Sequence, residues 1–537
     1  MTRPRKIRVN ITAAYIPFLS RHIGDQTAVR SVEDTNYVIT NAYSGEGADK
    51  DIGIPLVTYA ENVMPAIYGF TSVSYKLQHI NRPNYFGFNQ AITLRSSDET
   101  RAIFTPAAGE NFVNNGGGWQ SYPFPAKTVG EASWAYIKQN TYICYKRNGV
   151  YTYNFGLNTF TPVTFLGLNT SNVDGITSAN SYTIAWNSDT VFWSSAINSA
   201  DFVPSLSSGA GSQKVLALKG AIVACLPLND GFIIYTTANA VAARYTQNIR
   251  FPWNFTEIPG SAGINRAEEV THEANYEGHF AWTHSGLQLV TPQGAKNIFP
   301  EITDFLTCKR VEEWIGETGM QSHQDVAPLW DSVSQEWETR KFGENHLVEY
   351  KLLENPQIKL AFISSRYLAI SYGYRIRGQY DYVIVYDFSL KRYGKLKFTH
   401  VDCFQYYNPR SYDTNQKENF GFLTKLGAIY TLDFSSVRVD DSILLFGALR
   451  HTRGQDVYLL SADVSNIKPN ECRISALPSL DMRNYETAFV GSPVLETRDY
   501  TCVHFNCVAQ TYAIQLKGTF ELVNLELTLK LQGRRQI

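Results

Sequence analysis

The sequence predicts an all-β fold: a β-propeller of about six blades, within a range of about five to seven, with an additional β-sandwich-like module and one or few short helices. Three observations predict it. Aromatic residues make up 13% of the 537 residues, with 33 Tyr and 30 Phe, and such residues favour a pleated, half-buried surface. Hairpin patterns recur every 40 to 50 residues from residue 141 onward. The last 30 residues alternate apolar and polar side chains, as a strand with one buried face must.

Length sets the scale. A chain of 537 residues is too long for one ordinary core, so it forms several domains or one closed repeat architecture. With 44% hydrophobic and 18% charged residues it can bury a large core, which excludes general disorder. Lys and Arg (48) nearly balance Asp and Glu (49), for a net charge of −1. A protein whose main task is to grip nucleic acid carries a basic surplus. Basic clusters stand only near the two ends, at Arg3, Arg5, Lys6 and Arg8 and at Arg534 and Arg535.

The first segment, MTRPRKIRVNITAAYIPFLSRH, is basic, but Asn10, Thr12 and Pro17 break its apolar run, so it does not read as a secretory signal. Val215 to Leu228 is interrupted by Lys219, and no membrane span is expected. Seven cysteines are scattered without a CxxC pair, which fits reduced thiols made in a cytoplasm. Cys502 and Cys507 are close enough in sequence to bridge a hairpin.

Residues 1–130 read as N-terminal strands and loops that partly contribute to the sandwich-like module. Arg5 to Ala13 and Asn36 to Ala42 read as strands, Ser44 to Gly53 as a polar loop, and Pro55 to Tyr75 as a strand region split at Pro65. The loop Asn114 to Trp119 is glycine-rich but lacks the GK[ST] of a phosphate loop, and reads as a turn.

Residues 131–436 carry the recurrence. Thr141 to Tyr153 is a hairpin with Asn148 and Gly149 as its two-residue turn. Similar units begin at residues 181, 231, 278, 379 and 419, so the successive starts from 141 are 40, 50, 47, 101 and 40 apart. Lys359 to Arg375 fills the wide gap. The turns of the second and third units fall at Asn187, Ser188 and Asp189 and at Ala238 and Asn239. Such units bury both faces when blades pack radially.

Between them, Ser195 to Gly211 reads as a connection between blades that faces a neighbouring subunit or a channel. Phe299 to Glu317 reads as a helix, with Ile302, Phe305, Leu306, Val311, Trp314 and Ile315 at helical spacing, Pro300 near its start and Gly316 near its end. A lone helix there would offer a contact surface. Residues 437–537 read as a C-terminal β-sandwich-like module, which the N-terminal strands are candidates to complete, with a strand pair turning near Gly518.

Catalytic chemistry is sparse. HExxH, GxSxG and EF-hand patterns are missing, and the ten His are dispersed. His272 and His279 flank Glu273 and Glu277, which reads as a solvated acidic loop before it reads as a metal site. Asp189 in SDTVFW and Asp331 in DSVSQEW lack the glycine of sialidase-type SxDxGxxW repeats and read as turn formers. The acidic pairs Asp440-Asp441 and Glu268-Glu269 read as solvated turns. No catalytic, cofactor-binding or metal-binding residue is assigned, no cofactor is expected, and the chain is not expected to be an enzyme.

The order AWNSDTVFWSSAINSADFVPSLSSGAG, GAIVACLPLNDGFIIYTTANAVAARYTQNIRFPWNFTEIPGSAGI and YDYVIVYDFSLKRYGKLKFTHVDCFQYY resembles the tail nozzle proteins of short-tailed bacteriophages, also described as tail hub or packaged-DNA stabilisation proteins. The similarity covers roughly residues 130 to 430 and lies in the order of segments. It implies a β-propeller subunit of a virion tail that assembles with itself as a homo-hexameric ring below the portal and the head-to-tail adaptor. That ring would retain packaged DNA, touch double-stranded DNA transiently and without sequence preference, form the channel for ejection, and bind tail fibres or tailspikes. No contact residue carries over. The alternative from another class is a carbohydrate-binding or glycan-cleaving β-propeller acting at a cell surface.

Overall fold

A computed structural model of the chain describes residues 5–9, 37–40, 57–122 with breaks, 132–315 with breaks, 329–330, 337–338, 345–407 with breaks, and 419–531 with breaks. The fold is all-β and built largely from propeller-like antiparallel sheets of four strands. Sheets one to five occupy residues 92–122, 132–162, 175–214, 222–257 and 270–297, each a meander of four consecutive strands. Sheet six begins with the four-strand meander of 357–400. Sheet seven takes three strands from 402–433 and its fourth from Ser74–His79.

Each sheet shares an apolar core with the next, and the series closes. Ile143 and Tyr151 of sheet two meet Phe104 and Val113 of sheet one. Val150 meets Ile176 and Ala185 of sheet three, and Trp186 meets Phe232 and Val241 of sheet four. Ile233 and Tyr235 meet Ala281 and Val290 of sheet five, Phe280 and Leu287 meet Ile370 and Tyr382 of sheet six, and Val383 and Leu396 meet Phe420 and Phe422 of sheet seven. Phe404 and Tyr406 of sheet seven then meet Phe112 and Trp119 of sheet one. Sheet one lies on the N-terminal side of the boundary expected at residue 131, yet it shares its core with sheets two and seven. First strands of neighbouring sheets lie side by side: Ala132–Ile137 by Gly175–Ala179, that strand by Ile222–Leu228, Val270–His272 by Gln357–Ile363, and the last by Asp402–Tyr406. These are the inner strands.

The hairpin turns follow their residues. Asn187 N–H donates to the Thr190 carbonyl, closing the loop between Tyr182–Trp186 and Thr190–Trp193. Asn239 N–H donates to Thr236 Oγ1 and Thr236 N–H to the Asn239 carbonyl, a side-chain-supported turn. The first hairpin differs from expectation. Tyr145 pairs with Gly149, leaving Lys146, Arg147 and Asn148 as a three-residue loop in place of the two-residue Asn148-Gly149 turn. Contacts with the segment leading into sheet three decide this: Arg147, at φ 57, donates its N–H to the Val173 carbonyl and its Nε to Asp174 Oδ1 at 2.9 Å. Since the Arg147 side chain is 64% exposed, Arg147→Ala should cost no more than about 1 kcal/mol, read as a small shift in the urea midpoint. A loss of several times that would contradict this view of the pair.

Three further expectations are corrected. The helix of 299–317 ends early: α1 spans Pro300–Thr307, with Ile302 and Leu306, one turn apart, fully buried between sheets five and six. Arg310–Ile315 is a strand paired antiparallel with Asn345–Lys351. Val311, Trp314 and Ile315 are β-branched or aromatic and accept a ladder partner as readily as a helical face. The apolar face of α1 is therefore spent inside the chain. Pro65 does not split its region; it lies within Val63–Ala66 opposite Phe70, and the other edge of that strand pairs with sheet six only at Val63. A proline is tolerated where the second ladder has ended, and the break falls at Asn62, φ 55. Ser195 to Gly211 connects two paired strands of sheet three and does not run between sheets.

The C-terminal strands form two sheets around one core. Leu444, Phe446, Ile474, Ile514 and Leu516 come from one and Leu459, Val464, Val503, Leu525, Leu527 and Leu529 from the other. N-terminal strands enter both: Arg5–Val9 pairs with Leu525–Leu531, and Tyr37–Thr40 and Val57–Glu61 pair with Ile443–His451. The strands flanking Gly518 are not a pair. Thr511–Gly518 joins one sheet and Leu525–Leu531 the other, because buried Phe520 and Leu522 carry the chain across the core between them. Cys502 and Cys507 lie on one strand, Tyr500–Ala509, so no hairpin bridge joins them, and neither forms a disulfide.

Sheet six continues past its fourth strand through Val63–Ala66 and Gly69–Ser72 to Glu521–Leu522. The N-terminal segment of 63–79 is thus a strap, hydrogen-bonded to sheet six, to the C-terminal strands and to sheet seven.

Candidate functional site on the inner strands

Polar side chains in and just before the inner strands reach from one sheet to the next. Lys359 interrupts the apolar strand Gln357–Ile363, and its Nζ lies 3.1 Å from Asp402 Oδ1, with the side chains 10% and 4% exposed. Asp402 Oδ2 accepts the Ala91 N–H at 2.7 Å. Burial raises the Asp402 pKa, opposed by the Lys359 charge. Glu268 Oε1 accepts hydrogen bonds from Tyr380 Oη at 3.0 Å and from the Arg266 guanidinium. Gln90 exchanges two hydrogen bonds with the Ala132 backbone, at 3.1 and 2.9 Å, and Ser133 Oγ accepts the Ile176 N–H at 3.1 Å. Polar clasps therefore span the seams between sheets five and six, six and seven, seven and one, one and two, and two and three.

Glu268-Glu269 is not a solvated turn. The short 3-10 turn Ala267–Glu269 folds both acids inward, and Glu269 Oε2 accepts the Asn265 and Arg266 N–H groups. Burial raises the Glu269 pKa. Asp440-Asp441 lies outside the described residues, as do Arg3, Arg534, Arg535 and Asp331.

His272 and His279 do stand together, with ring centroids 5.3 Å apart. They are not arranged to hold a metal. His279 is fully buried, its Nε2 within 2.8 Å of the Pro227 carbonyl and its Nδ1 within 3.0 Å of Tyr235 Oη. Nε2–H therefore donates to the carbonyl and Nδ1 accepts from the tyrosine, leaving no lone pair for an ion. Burial drives the His279 pKa down to about 3. Glu273 Oε1 accepts from Ser365 Oγ at 2.7 Å. Among the described residues no three His, Cys, Asp or Glu side chains gather as a metal site.

One pair that sequence reading passed over has a nucleophile–base geometry. Ser371 Oγ donates to His400 Nε2 at 2.9 Å, and His400 Nδ1–H donates to the Phe398 carbonyl at 2.6 Å. Both residues are at most 1% exposed, and burial pushes the His400 pKa down to about 4. A substrate carbonyl cannot reach such a serine, so the pair ties the second strand of sheet six to the fourth. Asp189 is a turn former on the surface, paired with Lys214 at 2.8 Å. Two aromatic side chains on an inner strand remain accessible: Trp134 at 47% and Tyr136 at 39%, on one face of Ala132–Ile137.

Lys359 was the residue with a detectable signal, a lone cation inside an apolar run. Asp402, Arg266 and Tyr380 gave none, since each acquires its meaning from a partner on another sheet.

The sequence matches no protein-family model and no curated protein. Among solved structures, a chain of the S. cerevisiae Dbp5 complex with Nup159, Gle1, IP6 and ADP is similar at 8% identity and TM-score 0.34, over 69% of this chain and 97% of that one. The extracellular domain of the hybrid two-component system BT3049 from B. thetaiotaomicron is similar at 9% identity and TM-score 0.35, over 81% of this chain and 48% of that one, so the match spans about half of its length. Likeness at this level carries no argument about function.

Proposed function

We propose that the chain is a virion structural protein, a subunit of a homo-hexameric tail nozzle below the portal and adaptor that retains packaged DNA and forms its exit channel. In this reading the seven sheets are the blades of a propeller closed by Ser74–His79, and the two C-terminal sheets with their N-terminal strands are a β-sandwich module. The observation that carries the reading is the segment order resembling the nozzle proteins, which falls on sheets two to seven. The self-paired charges of the inner strands support a scaffold over an enzyme. A net charge of −1 suits a conduit, because each Lys–phosphate contact would tighten non-specific binding. Exposed Ile197, Leu206, Ile249 and Phe251 on sheets three and four supply side chains of the kind a ring contact needs.

Negative-stain imaging of the chain mixed with its adaptor should show six-fold rings, and particles lacking the chain should lose their DNA. A protein that stays monomeric with the adaptor, from particles that keep their DNA, would end this reading. The accessible pair Trp134 and Tyr136 favours one alternative, a glycan-binding propeller, since aromatic faces stack on sugar rings; specific binding on a glycan array would support it.

A further inference from the structure

Sheet seven is assembled differently from the other six. In the other six all four strands of the meander follow one another in sequence. Sheet seven lacks a fourth strand of its own and borrows Ser74–His79, paired with Ile429–Asp433. In sequence that strand precedes sheet one, so the break in the cycle lies within sheet seven, where the strands of 402–433 meet those of 74–79 and 92–122, and it is closed at two places. At the outer edge stands that borrowed strand. At the inner edge stands Asp402, which reaches Lys359 of sheet six with one oxygen and the Ala91 N–H ahead of sheet one with the other. Between them lie Phe88, Phe112, Trp119 and Phe404, with Trp119 Nε1 donating to the Gly427 carbonyl at 2.7 Å.

We propose that Asp402 and the strand Ser74–His79 are the two ends of one lock, so that the ring opens at the seam between the strands of 402–433 and those of 74–79 and 92–122 when either end is released. The carboxylate is well placed for this, since it joins three sheets while 4% exposed. Losing a partner there strands a buried charge or polar group, a far larger penalty than the loss of a surface pair. Through Gly69–Ser72 and Val63–Ala66 the same strap is bonded to Glu521–Leu522 and to sheet six. The lock is thus also where the C-terminal sheets hold the ring.

Hydrogen exchange on the full chain tests it. In Asp402→Asn, exchange in 74–79, 91–95 and 402–406 should rise about tenfold or more, while 182–193 and 231–245 across the ring stay within about twofold. Asp387→Asn is the control, since Asp387 is equally buried but bonds Arg366 within sheet six; it should leave the seam at the wild-type rate. A rise spread evenly over all seven sheets, no rise at the seam, or an equal opening in Asp387→Asn overturns the proposal. The oxidised double variant Ser74→Cys with Asp433→Cys, at a paired position, covers the case in which Asp402→Asn does not fold. It should slow exchange in 402–406 as well as in 74–79; protection confined to 74–79 overturns the single lock.

Discussion

The urea midpoint of the wild-type chain should fall steeply between pH 6.5 and pH 5, and two buried histidines should account for much of the fall. His279 and His400 are held neutral by burial, with pKa values down to about 3 and about 4 against an ordinary 6.5. Their folded-state values are depressed, so the stability they contribute is fully present above pH 6.5 and is lost as pH falls through the folded values. At pH 5 the unfolded chain protonates both while the folded chain protonates neither appreciably, which costs about 2 kcal/mol for each, or about 4 kcal/mol together. The raised pKa values of Asp402 and Glu269 act in the opposite sense, so the substitution series is the clean measurement. His279→Gln and His400→Gln should each lower stability at pH 7.5 and remove about 2 kcal/mol of the loss between pH 7.5 and 5. If the pH slope persists in both variants, the buried neutral state is wrong.

The second large effect is steric. Gly231 opens the strand Gly231–Thr236 at φ 146, and a Cβ there would sit 2.0 Å from the Ala243 carbonyl oxygen across the hairpin. Backbone cannot swing aside as a side-chain tip can, so Gly231→Ala should cost about 3 kcal/mol or more and weaken sheet four. Gly378 separates the two components of that cost. It has a positive φ of 74 but no atom within 4 Å of a built Cβ, so Gly378→Ala should cost about 1 kcal/mol, the conformational part alone. Thermal unfolding of the two variants side by side is the check. Equal losses would show that the clash at Gly231 relaxes.

These residues also show what sequence makes visible. Turn chemistry is local, so Asn187 and the Thr236–Asn239 turn were legible and the strands around them followed. The helical spacing of Ile302 and Leu306 was legible too, but Val311, Trp314 and Ile315 fit a strand as well, and only the ladder with Asn345–Lys351 separates the two. Partners distant in sequence left no trace. The strand region expected at Pro55 to Tyr75 reaches only the start of Ser74–His79, and nothing in it names Ile429–Asp433 as a neighbour. The inner-strand clasps were hidden for the same reason: a carboxylate at 402 and an amide at 91 become one feature only when the ring is closed. Glu268 and Glu269 misled because adjacent acids usually stay in water, and here a nearby arginine and turned-in backbone amides offer an alternative.

The strap has a consequence for synthesis. Ser74 and its acceptor Asp433 are 359 positions apart, while the strands of sheets one to five are neighbours in the chain. At about 5–20 residues per second, the strand Ser74–His79 waits roughly 20–70 s for its partner to be made. During that interval it is an unpaired edge, the kind of template on which nascent chains join one another. Ribosome-bound intermediates halted before residue 433 should therefore be the aggregation-prone species, and chaperone demand should drop once sheet seven has emerged.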